Sequence, residues 1–421
     1  MAESVPPAWP NAVNPEVVVV GGGPAGAAAA ITLVRGGADV VLVDKARFPR
    51  DKCCGDGLTV AALRELEALG LRPETVPGWQ VVQDVHLRSP SGREVHLPLP
   101  HGQGQFAVVV PRLSLDAALV DLARGEGVKV HDGHALRGAS TREDEVELHV
   151  DGLGTVRAAY AVGADGAWSP LRKALGAHRP GYLGDWHAFR QYFRDCGPAA
   201  ADLWVWFDAD LLPGYMWSFP LPGGRANVGF GLERNEEFDA HRMGELWPQL
   251  LQRSHVRRVL GAAAQPEGPH KAWPIPARVR AATLTTGGGR ALFVGDAACA
   301  TDPLTGEGIA QALLTGRAAA EAILRAGPDN PGEAASAYER TVRRELFADH
   351  WLGDLLSRGL RHRKGARLSI RAAGLNDWTR RNFARWLFED YPRAALGTPR
   401  RWHRRMFTAP GAFASESGAV P

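Results

Sequence analysis

The run Val17-Val18-Val19-Val20-Gly21-Gly22-Gly23-Pro24-Ala25-Gly26 constrains the fold more than any other part of the chain. Four β-branched residues read as a strand buried on both faces of a parallel sheet. An alanine-rich helical stretch follows the glycines and runs to about Arg35. Val40 to Val43 reads as a second buried strand, and Asp44 ends it, 23 residues after Gly21. Strand, Gly-x-Gly-x-x-Gly turn, helix and acid-tipped strand together form a dinucleotide-binding unit. Gly21 permits the tight turn, Gly23 lets a pyrophosphate approach the backbone, and Gly26 lets helix and strand pack closely. Free N–H groups and the positive helix end then face the phosphates. Asp44 is suited to accept hydrogen bonds from a ribose and to repel a 2′-phosphate. The glycines alone do not separate nicotinamide from flavin dinucleotides.

Two distant segments carry the same signature of strand, tight turn and helix start. Residues 288–314 read GGRALFVGDAACATDPLTGEGIAQALL. Ala291 to Val294 is a buried strand, Gly295-Asp296 ends it, Asp302-Pro303 turns the chain, and a helix is expected from Thr305 or Gly306. Asp296 is placed either to accept from a polyol or to cap a turn. The helix end at Gly306-Glu307-Gly308-Ile309 suits an acceptor oxygen or an anion. Residues 161–172 form another strand, followed by Asp165-Gly166 and a cap at Ser169-Pro170. Arg112 opens a further helix, as a surface charge or as a cofactor contact.

The set Gly21-x-Gly23-x-x-Gly26, Arg112, Gly163-Ala164-Asp165-Gly166 and Gly295-Asp296-Ala297 resembles the FAD-binding signature of the para-hydroxybenzoate hydroxylase-like flavoproteins. Within them, two stretches are similar to the geranylgeranyl reductase family. One runs from Phe48 through Lys52-Cys53-Cys54-Gly55-Asp56-Gly57 to Leu58; the other is Pro213-Gly214-Tyr215-Met216-Trp217-Ser218-Phe219-Pro220, continuing to Gly231. The resemblance spans residues 16–330, and the last ninety or so carry no assigned motif. It implies bound FAD, with Gly21, Gly23, Pro24, Ala25, Gly26, Asp44 and Lys45 at the ADP half. Lys52, Cys54, Gly55, Arg112, Asp165 and Asp296 would support the middle and the flavin edge. Gly306, Gly308 and Ile309 would face the flavin pyrimidine. The family's Cys-Gly-Gly is here Cys54-Gly55-Asp56-Gly57, which adds a carboxylate; Cys53 is extra.

Tyr215, Trp217 and Phe219 fall at i, i+2 and i+4, so a strand puts all three on one face. Asn227, Gly229 and Gly231 alternate on the returning segment, where glycine marks a close approach. An aromatic wall beside missing side chains describes either an elongated apolar slot or an ordinary sheet core. By the resemblance it is a substrate slot formed by Tyr215, Trp217, Phe219 and Gly229. Tyr215 and Trp217 could steady carbocation character with their faces. Cys54 is then either a proton donor or a structural residue. No metal is expected. No second Gly-x-Gly-x-x-Gly unit appears, so NAD(P)H or another reductant would touch the protein only transiently.

Composition closes off other classes. With 45% hydrophobic and 23% charged residues the chain is too apolar for disorder, and its four cysteines do not build a disulfide scaffold. Net charge is +3, too little to argue for nucleic acid. Its distribution is uneven: Arg340 to Arg405 holds 17 lysines and arginines against six acids, so this stretch carries +11 and the rest −8. Trp351, Trp378, Trp386 and Trp402 are interleaved with these arginines. That pattern fits an anionic membrane surface or a helical cap docked on the acidic body. Helix breaks are expected at Gly353, Gly365, Gly374 and Gly397, and residues 409–421 are expected to fray. No secretory signal or bilayer-spanning run is visible, so a cytoplasmic protein, peripheral to membrane at most, is expected.

The expected fold is α/β. A doubly wound, Rossmann-like FAD domain is assembled from residues 1–75, 107–176 and 284–335. An inserted antiparallel β-sheet substrate domain takes residues 76–106 and 177–283, and a basic helical region follows over 336–421. The expected function is FAD-dependent reduction of isoprenoid C=C bonds in a geranylgeranyl or polyprenyl chain. The alternatives are a flavin-dependent monooxygenase or halogenase acting on an aromatic natural product, and a flavin-bearing protein without turnover.

Overall fold

The computed structural model describes residues 14–234, 240–402 and 408–414. The expected charge at Arg405 and the expected fraying beyond residue 414 lie outside the described residues.

A six-stranded sheet takes its strands from three separated parts of the chain, in the order Thr285–Thr286, Ala291–Phe293, Tyr160–Gly163, Val17–Val20, Val40–Asp44, Lys129–Asp132. All but the first edge strand pair in parallel. Parallel strands buried on both faces need continuous apolar sequence, and Val17–Val20 is buried at every position. Helix Pro24–Arg35 packs on this sheet through its alanines, with Ile309–Ala326 laid against it. That contact is close because side chains are missing. A Cβ at Gly26 would lie 1.8 Å from the Gly21 carbonyl oxygen, and one at Gly316 2.1 Å from that of Ala25.

A seven-stranded sheet stands beside it, ordered Gln265–Ile275, Trp186–Arg194, Arg225–Glu233, Tyr215–Leu221, Leu203–Trp206, Asp84–Arg88, Glu94–Pro98. It is antiparallel except where Leu203–Trp206 runs parallel to Asp84–Arg88. The α/β fold with an antiparallel second sheet and C-terminal helices is thus the architecture read from the sequence.

The C-terminal region departs from its expected breaks. Helix Pro331–Leu360 runs unbroken through Gly353, whose bare backbone lets the helix close on the turn before it. A Cβ there would meet Pro303 Cγ at 3.0 Å. Gly365 lies inside the next helix, Arg363–Ala373, because its bareness accommodates the Gly359 carbonyl oxygen at 2.2 Å from a would-be Cβ. Gly374 does end that helix, and Asp377–Leu387 follows behind a capping box on Asn376 and Thr379. Part of the expected frayed tail is also fixed: Ala412 and Gln105 exchange two backbone hydrogen bonds, of 3.0 and 2.7 Å.

These approaches separate two glycines cleanly. Gly26→Ala should lower folding stability by about 3 kcal/mol, because backbone must move to admit the methyl. Gly244→Ala, mid-helix with open space around it, should raise stability by about 1 kcal/mol. Denaturant melts of both variants check this; equal effects would contradict the packing described.

Candidate active site

A cavity of about 1120 Å³ opens between the two sheets and under the C-terminal helices. That exceeds the roughly 300–1,000 Å³ of an ordinary small-ligand site, leaving room for a dinucleotide and a second elongated molecule. Its near end is the glycine turn. Gly21 has φ +107°, and a Cβ there would meet the Ala164 carbonyl oxygen at 2.3 Å, so the conformation admits only glycine. No side chain caps the helix that begins at Pro24, which leaves its positive end to the cavity. The Asp44 carboxylate accepts from the Gly22 and Ala46 amides at 2.7 and 2.8 Å and has lone pairs to spare.

Arg112 is no surface charge. It is buried, and Asp116 accepts two hydrogen bonds from it, at 2.7 Å from Nε and 2.8 Å from Nη2. Its Nη2 lies 3.8 Å from where a Gly23 Cβ would be. Lys52 Nζ donates to Asp296 at 3.1 Å. Asp165 accepts from the Leu171 amide through one oxygen, while its other oxygen is buried without a partner and its pKa is pushed up to about 6 by burial. Bare glycines, an uncapped helix end and an orphaned carboxylate oxygen are what a dinucleotide with a polyol linker would fill. FAD therefore fits the residues present. Gly21, Gly23, Pro24, Ala25, Asp44, Lys45, Lys52, Cys54, Gly55, Arg112, Asp165, Asp296, Gly306, Gly308 and Ile309 all line the cavity; Gly26 lies behind it as packing.

The expected helix start moves. The helix begins at Ile309, not at Thr305 or Gly306, and two carboxylates take amides on either side of its start. Asp302 accepts from Leu304 and Thr305 at 3.0 and 2.8 Å, and Glu307 accepts from Ile309 and Ala310 at 2.9 and 3.0 Å. Burial, reinforced by Glu389, raises the pKa of Glu307.

Tyr215, Trp217 and Phe219 all face the cavity, with successive ring centroids 6.0 and 5.9 Å apart. Gly229 does not reach the cavity. It leaves room for Trp217, whose Cζ2 would be 2.4 Å from a Cβ there. What approaches the missing side chain is thus the protein's own indole.

Asp56 is the node beneath this wall. It holds φ +66° and accepts from the Arg112 amide at 3.2 Å, the Tyr192 hydroxyl at 2.7 Å and Asn227 Nδ2 at 2.8 Å. The same Nδ2 donates to the Cys54 carbonyl at 2.9 Å, and Asn227 Oδ1 accepts from Trp217 Nε1 at 3.2 Å. One amide side chain thus orients both the indole and the cysteine loop. Burial pushes the Cys54 thiol up against the pull of Arg112, so it is held neutral. The sequence marks Asp56 as an added carboxylate, but its partners Tyr192 and Asn227 lie more than 130 residues away, with nothing in the local sequence to announce them.

Burial also pushes Asp56 up to about 6, against its three donors. Its folded pKa lies above the unfolded value near 4. Its contribution to stability is therefore full below pH 4 and lost as pH rises through 6. Wild type should lose on the order of 3 kcal/mol relative to Asp56→Asn across that window. Paired urea melts from pH 4 to 7.5 test this; a difference independent of pH would refute it.

Residues 14–323 match the FAD binding domain family model. The chain is 37% identical over 330 residues to menaquinone reductase of Mycolicibacterium smegmatis, covering 74% of this chain and 77% of that one. It is 30% identical over 320 residues to digeranylgeranylglycerophospholipid reductase 2 of Methanopyrus kandleri, again 74% and 77%. A solved geranylgeranyl bacteriochlorophyll reductase-like protein from Thermoplasma acidophilum superposes with TM-score 0.78 at 19% identity, over 93% of this chain and all of that one. With the glycine cradle, the Cys54 loop and the aromatic strand opening on one cavity, the chain belongs to the geranylgeranyl reductase family of FAD-binding oxidoreductases.

Proposed function

We propose that this protein reduces C=C bonds in the isoprenoid chain of a prenylated quinone or lipid. The observation that carries the reading is continuity: one cavity joins the dinucleotide cradle to an aromatic wall and then to an apolar arm. That arm runs between Leu87 and Val205 of the seven-stranded sheet, with Phe207 just past the Leu203–Trp206 strand, and Leu356, Phe383 and Trp386 of the C-terminal helices. A flat aromatic substrate needs no such arm; a prenyl chain does. Similarity to the mycobacterial menaquinone reductase supports a prenylated quinone as the first substrate to test.

FAD, when bound, supplies the hydride. Gly21, Gly23, Pro24 and Ala25, with Asp44 and Lys45, would hold its ADP half, while Gly26 keeps the helix close behind them. Lys52, Arg112, Asp165 and Asp296 hold the middle, and Gly55, Gly306, Gly308 and Ile309 border the ring. NAD(P)H or another reductant recharges it from the surface.

The protein's own part is to fix the alkene and steady the charge that develops as hydride and proton arrive at its two carbons. Trp217 is held by Asn227 and seated on Gly229, so its face is set before substrate enters. Tyr215 is fixed by its hydroxyl donating to the Thr305 carbonyl. Both faces can stabilise cationic character without a covalent partner. Cys54 carries its proton at neutral pH, as a donor to the second carbon must, although a thiol is a weak acid for that step.

The experiment is anaerobic photoreduction of the FAD-loaded protein, followed by menaquinone or geranylgeranyl diphosphate. Flavin should reoxidise, and the product should be heavier by two hydrogens. Trp217→Ala should retain flavin absorbance and slow reoxidation about 30-fold, the rate equivalent of a desolvated cation–π contact of about 2 kcal/mol. Flavin that ignores both substrates, yet with oxygen hydroxylates a phenol, would favour a monooxygenase instead.

A further inference from the structure

The far end of the cavity differs in kind from the cofactor end. Leu355, Leu356 and Leu360 close it from one helix, and Gly365, Leu368 and Ile370 from the next. Leu355 and Leu368 are cavity wall and exposed surface at once, Leu368 at 68% exposure, so they mark the rim of an opening. The helix Arg363–Ala373 turns Ala366, Ile370 and Ala373 inward. Its outer stripe is Lys364, Arg367, Leu368 and Arg371, spaced i, i+3, i+4 and i+7. With Arg363 this gives four cations and no acid in 11 residues. Among the described residues none of the four forms an ion pair. Leu375 and Trp378 follow directly, 65% and 70% exposed.

Several other arginines of the basic region are paired. Arg393 pairs with Asp302 at 2.5 Å and Glu389 at 3.2 Å, Arg401 with Asp349 at 2.8 Å, and Arg385 with Asp390. These arginines are compensated, Arg393 by Asp302 of the body and the others by acids of the C-terminal region itself. The four on Arg363–Ala373 are not, and Leu368, at the rim of the opening, lies among them. Uncompensated cations interleaved with exposed leucine and tryptophan match a surface that is anionic outside and apolar beneath.

We infer that the helix Arg363–Ala373, with Leu375 and Trp378, docks on an anionic lipid bilayer and sets the cavity mouth at its surface. A prenyl chain then moves from lipid into the apolar arm without exposing its length to water. The cargo rests on the isoprenoid reading above; the docking does not.

Flotation of the full-length, FAD-loaded protein with vesicles tests it. Binding should occur with phosphatidylcholine–phosphatidylglycerol vesicles, not with phosphatidylcholine alone, and should weaken as salt shortens the screening length. The triple variant R363E/K364E/R367E should bind at least about 100-fold more weakly, at about fivefold for each of the three cations removed and more for the carboxylates put in their place. L375D/W378D should also fall away. Both must keep the wild-type melting temperature and flavin absorbance. Equal flotation on both vesicle types, or variants that float like wild type, would overturn the inference. So would self-association abolished by L375D/W378D without any flotation, which would make a second copy the occupant. Reoxidation by detergent-dispersed menaquinone is followed in parallel. Turnover without flotation sinks the docking alone; flotation without turnover sinks the reductase reading alone.

Discussion

The buried carboxylate of Asp56 ties the glycine-turn half of the molecule to the seven-stranded sheet. Its three donors come from the start of one helix and from two strands of the second sheet: the Arg112 amide, the Tyr192 hydroxyl and the Asn227 amide. Each would be an unsatisfied buried donor without it, at a cost of about 1–3 kcal/mol apiece. Because Asn227 also grips the Cys54 carbonyl and the Trp217 indole, the node that joins the domains is the node that aims the site. The residue itself is under tension. It occupies a left-handed backbone conformation and sits where burial disfavours its charge. Such a residue persists because the surroundings over-determine it.

Much of the frame was legible because it obeys local rules. Four valines, a glycine turn and an acid-tipped strand leave little freedom, and the parallel sheet follows from them. The alternation of Tyr215, Trp217 and Phe219 fixes one shared face by strand geometry alone. What was not legible is whatever depends on a distant partner. Gly229 was read as space for a ligand and is space for Trp217; strand spacing cannot say which molecule fills a gap. Gly353 was read as a helix break and is a packing notch, since the tertiary contact with Pro303 outweighs glycine's weak helix propensity.

The basic region shows the same divide within a single property. Charge counting gave one block of +11. Within it the fold pairs Arg385, Arg393 and Arg401 with Asp302, Asp349, Glu389 and Asp390, and leaves the four cations of Arg363–Ala373 without an ion pair among the described residues. Membrane contact and a docked cap are alternatives in the sequence; in the fold, paired arginines and an exposed cationic stripe lie side by side. Sequence reports how much charge there is; only the fold reports where it is already spent.

Glu307 sharpens the chemistry at the other end of the cavity. The expected open helix end at Gly306 to Ile309 is closed by its own side chain, through the Ile309 and Ala310 amides. Those amides cannot serve Glu307 and a cofactor oxygen together. Three buried carboxyls, Asp302, Glu307 and Glu389, crowd one guanidinium, Arg393, with His350 disfavoured as a cation by its burial. Against the opposing effect of burial, Arg393 holds Asp302 ionised, while burial raises Glu307 and Glu389. One positive charge cannot balance three negative ones at low dielectric, so the cluster retains a proton near neutrality. A cofactor oxygen that took the Ile309 amide would displace a carboxyl already inclined to be neutral. That exchange is less costly than evicting an ionised one from the same helix end.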